Sequence, residues 1–172
     1  MTTMGKLENT PIGTIWVAAS DDGVVGISLW DDADRFLIEI SRHTGDAVAV
    51  DGAAGPIVTA ALTELDEYLR GQRRDFAVPI DWSILAPFQR QVLEHVRDVT
   101  YGQTTSYGAI AERIGRPAAV RAVGRANATN PYPIIVPCHR ILGADGRLHG
   151  YGARGGLETK AWLLRLEGSW LI

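Results

Sequence analysis

Two runs near the start of the chain, Thr14-Ile15-Trp16-Val17-Ala18-Ala19 and Val24-Val25-Gly26-Ile27-Ser28-Leu29-Trp30, are rich in β-branched and aromatic side chains. They flank Asp21-Asp22-Gly23, and the pattern predicts a β-hairpin across a Gly-containing turn. A short helix capped among Asp31 to Asp34 is expected next. A longer one begins at Pro56, which suits the first helical turn, and ends at Gly71, with Ile57, Ala61, Leu65 and Leu69 on one stripe. Phe76 to Ile80 then reads as a return to the sheet. The character changes between Asp81 and Pro87, where a boundary is expected, and the hydrophobic period after it is helical. Pro87 opens a helix in which Phe88, Val92, Val96 and Val99 recur, stopped by Tyr101-Gly102. Ser106 caps a helix over Tyr107 to Ile114. Gly115-Arg116-Pro117 breaks it, and Ala118 to Asn127 forms another. The pattern as a whole is α+β: an α/β lobe over 1–81 and a mainly helical lobe over 82–172. Two short helices about a Gly-containing turn have the proportions of a helix-turn-helix, and equally of a helical hairpin in a core.

Charge begins to separate these two readings. The 172 residues carry a net charge of -3, but the sign is segregated. Residues 1–81 hold 6 Lys+Arg against 14 Asp+Glu, and residues 82–172 hold 11 against 6. A polyanion would meet the second part, where Arg113, Arg116, Arg121 and Arg125 sit in or beside the two short helices. No apolar run approaches the roughly 18 residues of a membrane span, and Met1 to Thr10 lack the basic head and apolar stretch of a secretory signal. The expected location is cytoplasmic, with no membrane and no obligate protein partner evident. Internal repeats and low-complexity segments are absent.

The chemistry concentrates in Asn130-Pro131-Tyr132-Pro133-Ile134-Ile135-Val136-Pro137-Cys138-His139-Arg140-Ile141, read as a stiff, extended segment. Cys138 is the chain's single cysteine, so neither an internal disulfide nor a Cys-rich zinc site is available, and no metal site is expected. A thiol beside an imidazole and a cation is lowered in pKa and becomes a nucleophile without metal help. Successive residues of an extended chain point opposite ways, so His139 needs a turn or a bridging water to reach the sulfur. A single cysteine behind Ile134 to Val136 also fits an inert core residue.

Ile135-Val136-Pro137-Cys138-His139-Arg140, preceded by Asn130-Pro131 and by Arg121-Ala122-Val123-Gly124, resembles the signature of the O6-alkylguanine-DNA alkyltransferases, also called methylated-DNA-protein-cysteine methyltransferases. The resemblance runs from about Phe88 to Gly168. It implies an RNase H-like N-terminal lobe, a helix-turn-helix in the second, no cofactor, and duplex DNA containing O6-alkylguanine as partner. Carried onto matching positions, it makes Cys138 the alkyl acceptor and His139 its base through a water, with Glu167 orienting the histidine. Asn130 would brace the turn before the cysteine. Tyr107 would rotate the flipped nucleotide's phosphate and protonate the departing guanine. Arg121 would fill the gap left in the base stack, with Ala122 beside it on the DNA and Arg113, Arg116 and Arg125 on phosphates. The carbonyls of Cys138 and Ile141 would receive the guanine amino group. Gly152 would present its amide to O6, with Tyr151 lining the same pocket. The resemblance implies a single use of each molecule, since a thioether has no easy hydrolytic exit. Two other classes stay open: a DNA-binding regulator or lesion sensor, which Cys138 argues against, and a cysteine hydrolase, which lacks a local signature.

Overall fold

The computed structural model describes residues 1–50 and 52–170. They divide into two compact units, Met1–Ile84 and Leu85–Ile172.

The first unit is built on a four-stranded sheet. Its strands are β1 (Thr2–Thr10), β2 (Gly13–Ala19), β3 (Val24–Ser28) and, after helix α1 (Ala33–Thr44), the two-residue β4 (Val48–Ala49), in the order β3-β2-β1-β4. The hairpin expected from the hydrophobic runs is the antiparallel pair β2 and β3, in which Trp16 faces Ser28 and Val17 faces Ile27. The central strand β1 carried no sequence signal. Its TTMGKLENT run has too few apolar side chains to alternate, and the strand forms because β2 pairs with it from Thr3↔Ala19 to Leu7↔Ile15. Sheet membership here is imposed by the partner strand rather than by local preference.

Asp32 caps α1 by accepting from the Arg35 amide at 2.9 Å, as the acidic cluster led one to expect. Phe36 and Ile40 on its inner face pack with Met4, Ala18 and Val25. Helix α2 (Pro56–Leu69) starts at the anticipated proline. Its buried stripe runs through Val58, Ala61, Leu65, Tyr68 and Leu69, and the predicted Ile57 is only half-buried. The expected strand over Phe76 to Ile80 shrinks to one bridge, Ile80 beside Val24. Pro79 cannot donate to a ladder, and the amides of Ala77 and Val78 turn instead to the Glu64 carboxylate at 3.0 and 3.3 Å. Gly23 makes the close passage at this point possible, because a Cβ there would lie 2.6 Å from the Asp81 nitrogen.

The second unit is mainly helical. Helix α3 (Pro87–Arg97) buries Val92, Leu93 and Val96. A two-residue strand β5 (Thr105–Ser106) leads into α4 (Tyr107–Arg113), where the Ser106 hydroxyl accepts from the Ala109 amide at 3.0 Å. Gly115 turns the chain at a φ of 74°, a backbone that L side chains rarely adopt, and α5 (Val120–Ala128) follows. A 3-10 turn over Cys138–Arg140 delivers the chain to β6 (Ile141–Leu142), which pairs parallel with β5. Helix α6 (Leu157–Leu166) closes the unit and packs against the 3-10 turn.

Candidate active site and nucleic-acid interface

The segment before Cys138 is not extended, as its three prolines suggested, but turned. Asn130 holds it: its Oδ1 accepts from the Tyr132 amide and its Nδ2 donates to the Val136 carbonyl, both at 2.9 Å. The Val136 amide closes the same loop onto the Tyr132 carbonyl at 2.8 Å, and Ile134 takes a φ of 74° within it. A non-glycine, β-branched residue in that region is held there only by surrounding structure. The outcome is a fixed, strained loop that aims the following turn.

Cys138 opens that turn and is 6% exposed. Burial pushes its thiol up, more than Asn130, Lys160 and the amides of Cys138 and His139 pull it down. The expectation of a thiol lowered by its neighbours is therefore not met. Desolvation outweighs them, and the adjacent Arg140 is committed elsewhere. Its Nε and Nη2 bind the two oxygens of Glu167 at 2.9 and 2.8 Å, and its Nη1 donates to the Val99 carbonyl.

The 3-10 turn sends His139 away from solvent, with 0% exposure, and sets its Nε2 2.8 Å from Glu167 Oε1. Burial holds the imidazole below its ordinary pKa despite the carboxylate, so it rests neutral and can accept a proton. With Nε2 turned to the carboxylate, Nδ1 is the nitrogen left for that task. Glu167 is the C-cap of α6 and is 6% exposed. Although burial alone would raise it, its hydrogen bonds and charge contacts with His139 and Arg140 bring it down to about 2. An ionised carboxylate thus serves a neutral imidazole and a guanidinium together.

Tyr107 is the first residue of α4 and is half-buried. Burial raises its phenol, Cys138 raises it further, and Asn127 opposes both. The hydroxyl consequently keeps its proton and is available as a donor. Its ring meets that of His149 edge-on, with centroids 6.4 Å apart. Asn127 on α5 is buried and donates to the Cys138 carbonyl at 3.4 Å. Ile141 is fully buried, Tyr151 is half-buried with its hydroxyl out of contact with solvent, and Gly152 is exposed.

On the surface, Arg113 ends α4, Arg116 lies in the break with its guanidinium 5.7 Å from the Phe88 ring centre, and Arg121 and Arg125 stand one turn apart on α5. All four are exposed, and Ala122 is half-buried beside them. Cys138, His139, Glu167, Asn130 and Tyr107 are thus gathered about the 3-10 turn, whereas the four arginines are exposed on α4, on α5 and in the break between them. Sequence reasoning missed Arg140 as the partner of Glu167, and missed Asn127 and Lys160. The signal for Lys160 was present: it falls on the apolar stripe with Ala161, Leu163 and Leu164, where a charge is out of place. Among the described residues, no group of three or more His, Cys, Asp or Glu side chains is placed to hold a metal ion. No helix there is long and apolar enough to cross a membrane.

Comparison with known proteins adds to this geometry. Residues 87–169 match the family model described as 6-O-methylguanine DNA methyltransferase, DNA binding domain, and residues 4–82 match its ribonuclease-like domain. A methylated-DNA–protein-cysteine methyltransferase of Mycolicibacterium paratuberculosis is 41% identical over 159 residues, covering 92% of this chain and 88% of that protein. The Mycobacterium leprae protein of the same name is 50% identical over 107 residues, and the match spans 62% of this chain and 63% of its length. A crystal structure of Mycobacterium tuberculosis OGT in complex with DNA superposes with a TM-score of 0.78 at 34% identity, covering 97% of this chain and 93% of the other.

Proposed function

This chain belongs to the 6-O-methylguanine DNA methyltransferase family, and we propose on that premise that it repairs O6-alkylguanine in duplex DNA by direct, irreversible transfer of the alkyl group to Cys138. The observation that carries the reading is the burial of Cys138 at the head of a turn whose next residue, His139, sits 2.8 Å from an ionised Glu167.

A base stacked in a duplex hides its O6, so the protein must extrude it, at a cost of a few kcal/mol. Arg121, exposed in the first turn of α5, is suited to occupy the space left behind. Arg113, Arg116 and Arg125 meet phosphates. Because burial keeps Cys138 protonated at rest, its proton has to leave as the reaction starts. It passes through a water to Nδ1 of His139, and Glu167 stabilises the imidazolium so formed. The sulfur then attacks the alkyl carbon, the bond from that carbon to O6 breaks, and guanine departs. Tyr107 donates its phenolic proton to the leaving base and is replenished from the imidazolium, so the thiol's proton ends on guanine. Asn130 keeps the nucleophile's loop in place. The carbonyls of Cys138 and Ile141 accept the base's amino group, and Tyr151 and Gly152 line the remaining wall.

The division of labour follows the boundary expected from the sequence. Residues 82–172 bind DNA and transfer the alkyl group, and residues 1–81 serve as a structural lobe. A cytoplasmic location fits a reaction that needs a free thiol. The thioether product has no hydrolytic exit and the chain offers no second thiol. Mixed with excess O6-methylguanine DNA, the protein is expected to repair one lesion per active molecule and stop. Continued turnover would rule the scheme out.

A further inference from the structure

Val123, Ala126 and Asn127 are the buried side chains of α5, and the third is unlike the other two. Asn127 is 6% exposed, its Nδ2 donates to the Cys138 carbonyl at 3.4 Å, and its Oδ1 has no hydrogen-bond partner among the described residues. A carbonyl only accepts, so the amide nitrogen is the atom that faces it and the amide oxygen is the one left over. An oxygen buried without a donor costs free energy, which a leucine of nearly the same shape would avoid. An unmet buried acceptor beside a nucleophile points to a donor that arrives from outside.

The surroundings identify that donor. Asn127 is close to two groups assigned to the base. One turn earlier on α5, Gly124 has the Tyr107 ring as its neighbour, for a Cβ there would lie 4.0 Å from Tyr107 Cδ1. The other group is the Cys138 carbonyl, which already accepts from the Ile141 amide as well as from Asn127. Its two lone pairs are thus engaged before a base arrives, and a further donor there needs another acceptor alongside. Alkylation at O6 removes the N1 hydrogen of guanine, so the damaged base keeps one hydrogen-bond donor, the amino group at C2. We propose that Asn127 is a specificity-determining residue whose Oδ1 accepts from that amino group, sharing with the Cys138 carbonyl the hydrogen directed at both, while the Ile141 carbonyl takes the other. Asn127 so favours the alkylated guanine over a base of the same outline without the amino group, which leaves Oδ1 unmet. This role rests on the alkyl-transfer reading and adds to it a side chain that reads the base.

A duplex carrying O6-methylhypoxanthine in place of O6-methylguanine presents the same base without its amino group. Single-turnover transfer by the wild type, at saturating duplex, should be roughly ten-fold or more faster on O6-methylguanine. Asn127→Leu keeps the shape and removes the carboxamide. Its rate on O6-methylguanine should fall roughly ten-fold while its rate on O6-methylhypoxanthine stays within about two-fold of the wild type, so that most of the preference is lost. Equal slowing on both substrates would make Asn127 a structural residue and overturn the proposal, and so would unchanged rates on both. Should Asn127→Leu not fold, Asn127→Ala reads the same ratio. A wild type indifferent to the amino group overturns the proposal with no variant at all, and leaves the reading of function standing. A wild type that transfers from neither duplex refutes both.

Discussion

Apart from tyrosine, tryptophan and cysteine, the buried polar side chains among the described residues are Thr2 and Glu64 in the first unit and Asn127, His139, Arg140, Thr159, Lys160 and Glu167 in the second. Both units bury a carboxylate, and the difference between the two explains much. Glu64 accepts from two backbone amides, with the half-exposed Arg73 3.9 Å away, and so anchors a loop that could not join the sheet. Glu167 instead holds a neutral imidazole and a buried guanidinium around a buried thiol. A single buried carboxylate on backbone donors is a fastening. Several ionisable groups buried together cost solvation energy that stability alone does not recover, and such clusters mark sites of chemistry.

Breaking each carboxylate should expose the difference. Glu167→Gln leaves Arg140 without its counter-charge inside the unit, and the expected loss is about 3–5 kcal/mol, together with most of the alkyl-transfer rate. Glu64→Gln keeps an acceptor oxygen for the two amides, and about 1 kcal/mol should be lost with transfer unchanged. Urea unfolding and single-turnover rates check both. Equal effects of the two substitutions on transfer would erase the distinction.

The pH dependence sharpens it. In the folded protein Glu167 ionises at about 2, against an ordinary value of 4.5. Its contribution is therefore fully present above the ordinary value and is lost as acid protonates it on the way down to about 2. Stability of the wild type should decline steeply through that window and that of Glu167→Gln less so. The decline that remains in the variant belongs to groups such as Asp81 and Asp145, whose carboxyls are also lowered by hydrogen bonds. Parallel acid limbs in a urea series at stepped pH would contradict the assignment.

How much of this was legible in the sequence follows the same contrast. The hairpin, the Asp32 and Ser106 caps and the proline starts of α2 and α3 were readable because their signals are local. Strand β1 was not, since Lys6, Glu8 and Asn9 give it no apolar alternation and its place depends on β2. Around Cys138 the residue types were readable, but the turned path of Asn130 to Pro137 was hidden by prolines that suggest extension. Two polar side-chain bonds from Asn130 and the φ of Ile134 decide that path. The direction of the thiol's pKa was misread for a related reason. Adjacency to Arg140 suggested a cation for the sulfur, while the fold gives that cation to Glu167.

The arginine face offers smaller effects that separate its members. If Arg121 fills the gap of an extruded base, Arg121→Ala should slow transfer on duplex DNA roughly ten-fold or more and leave the reaction with free O6-alkylguanine unchanged. Arg121→Lys should restore only part of the loss, lacking the planar guanidinium. Equal slowing on both substrates would sink the finger role. Replacing Arg113, Arg116 or Arg125 by Ala should each lower the salt dependence of binding by about one counterion and leave the saturated rate alone. An unchanged salt slope in all three would remove that face from the interface.

The most direct test of the account is the intact mass of the protein after reaction with an excess of O6-methylguanine duplex. The expected result is a single added methyl group, located on Cys138 by peptide mapping. Cys138→Ser should bind the duplex and gain no mass. An unmodified wild-type protein in a mixture whose DNA has been repaired, or a methyl group on any residue other than Cys138, would contradict it.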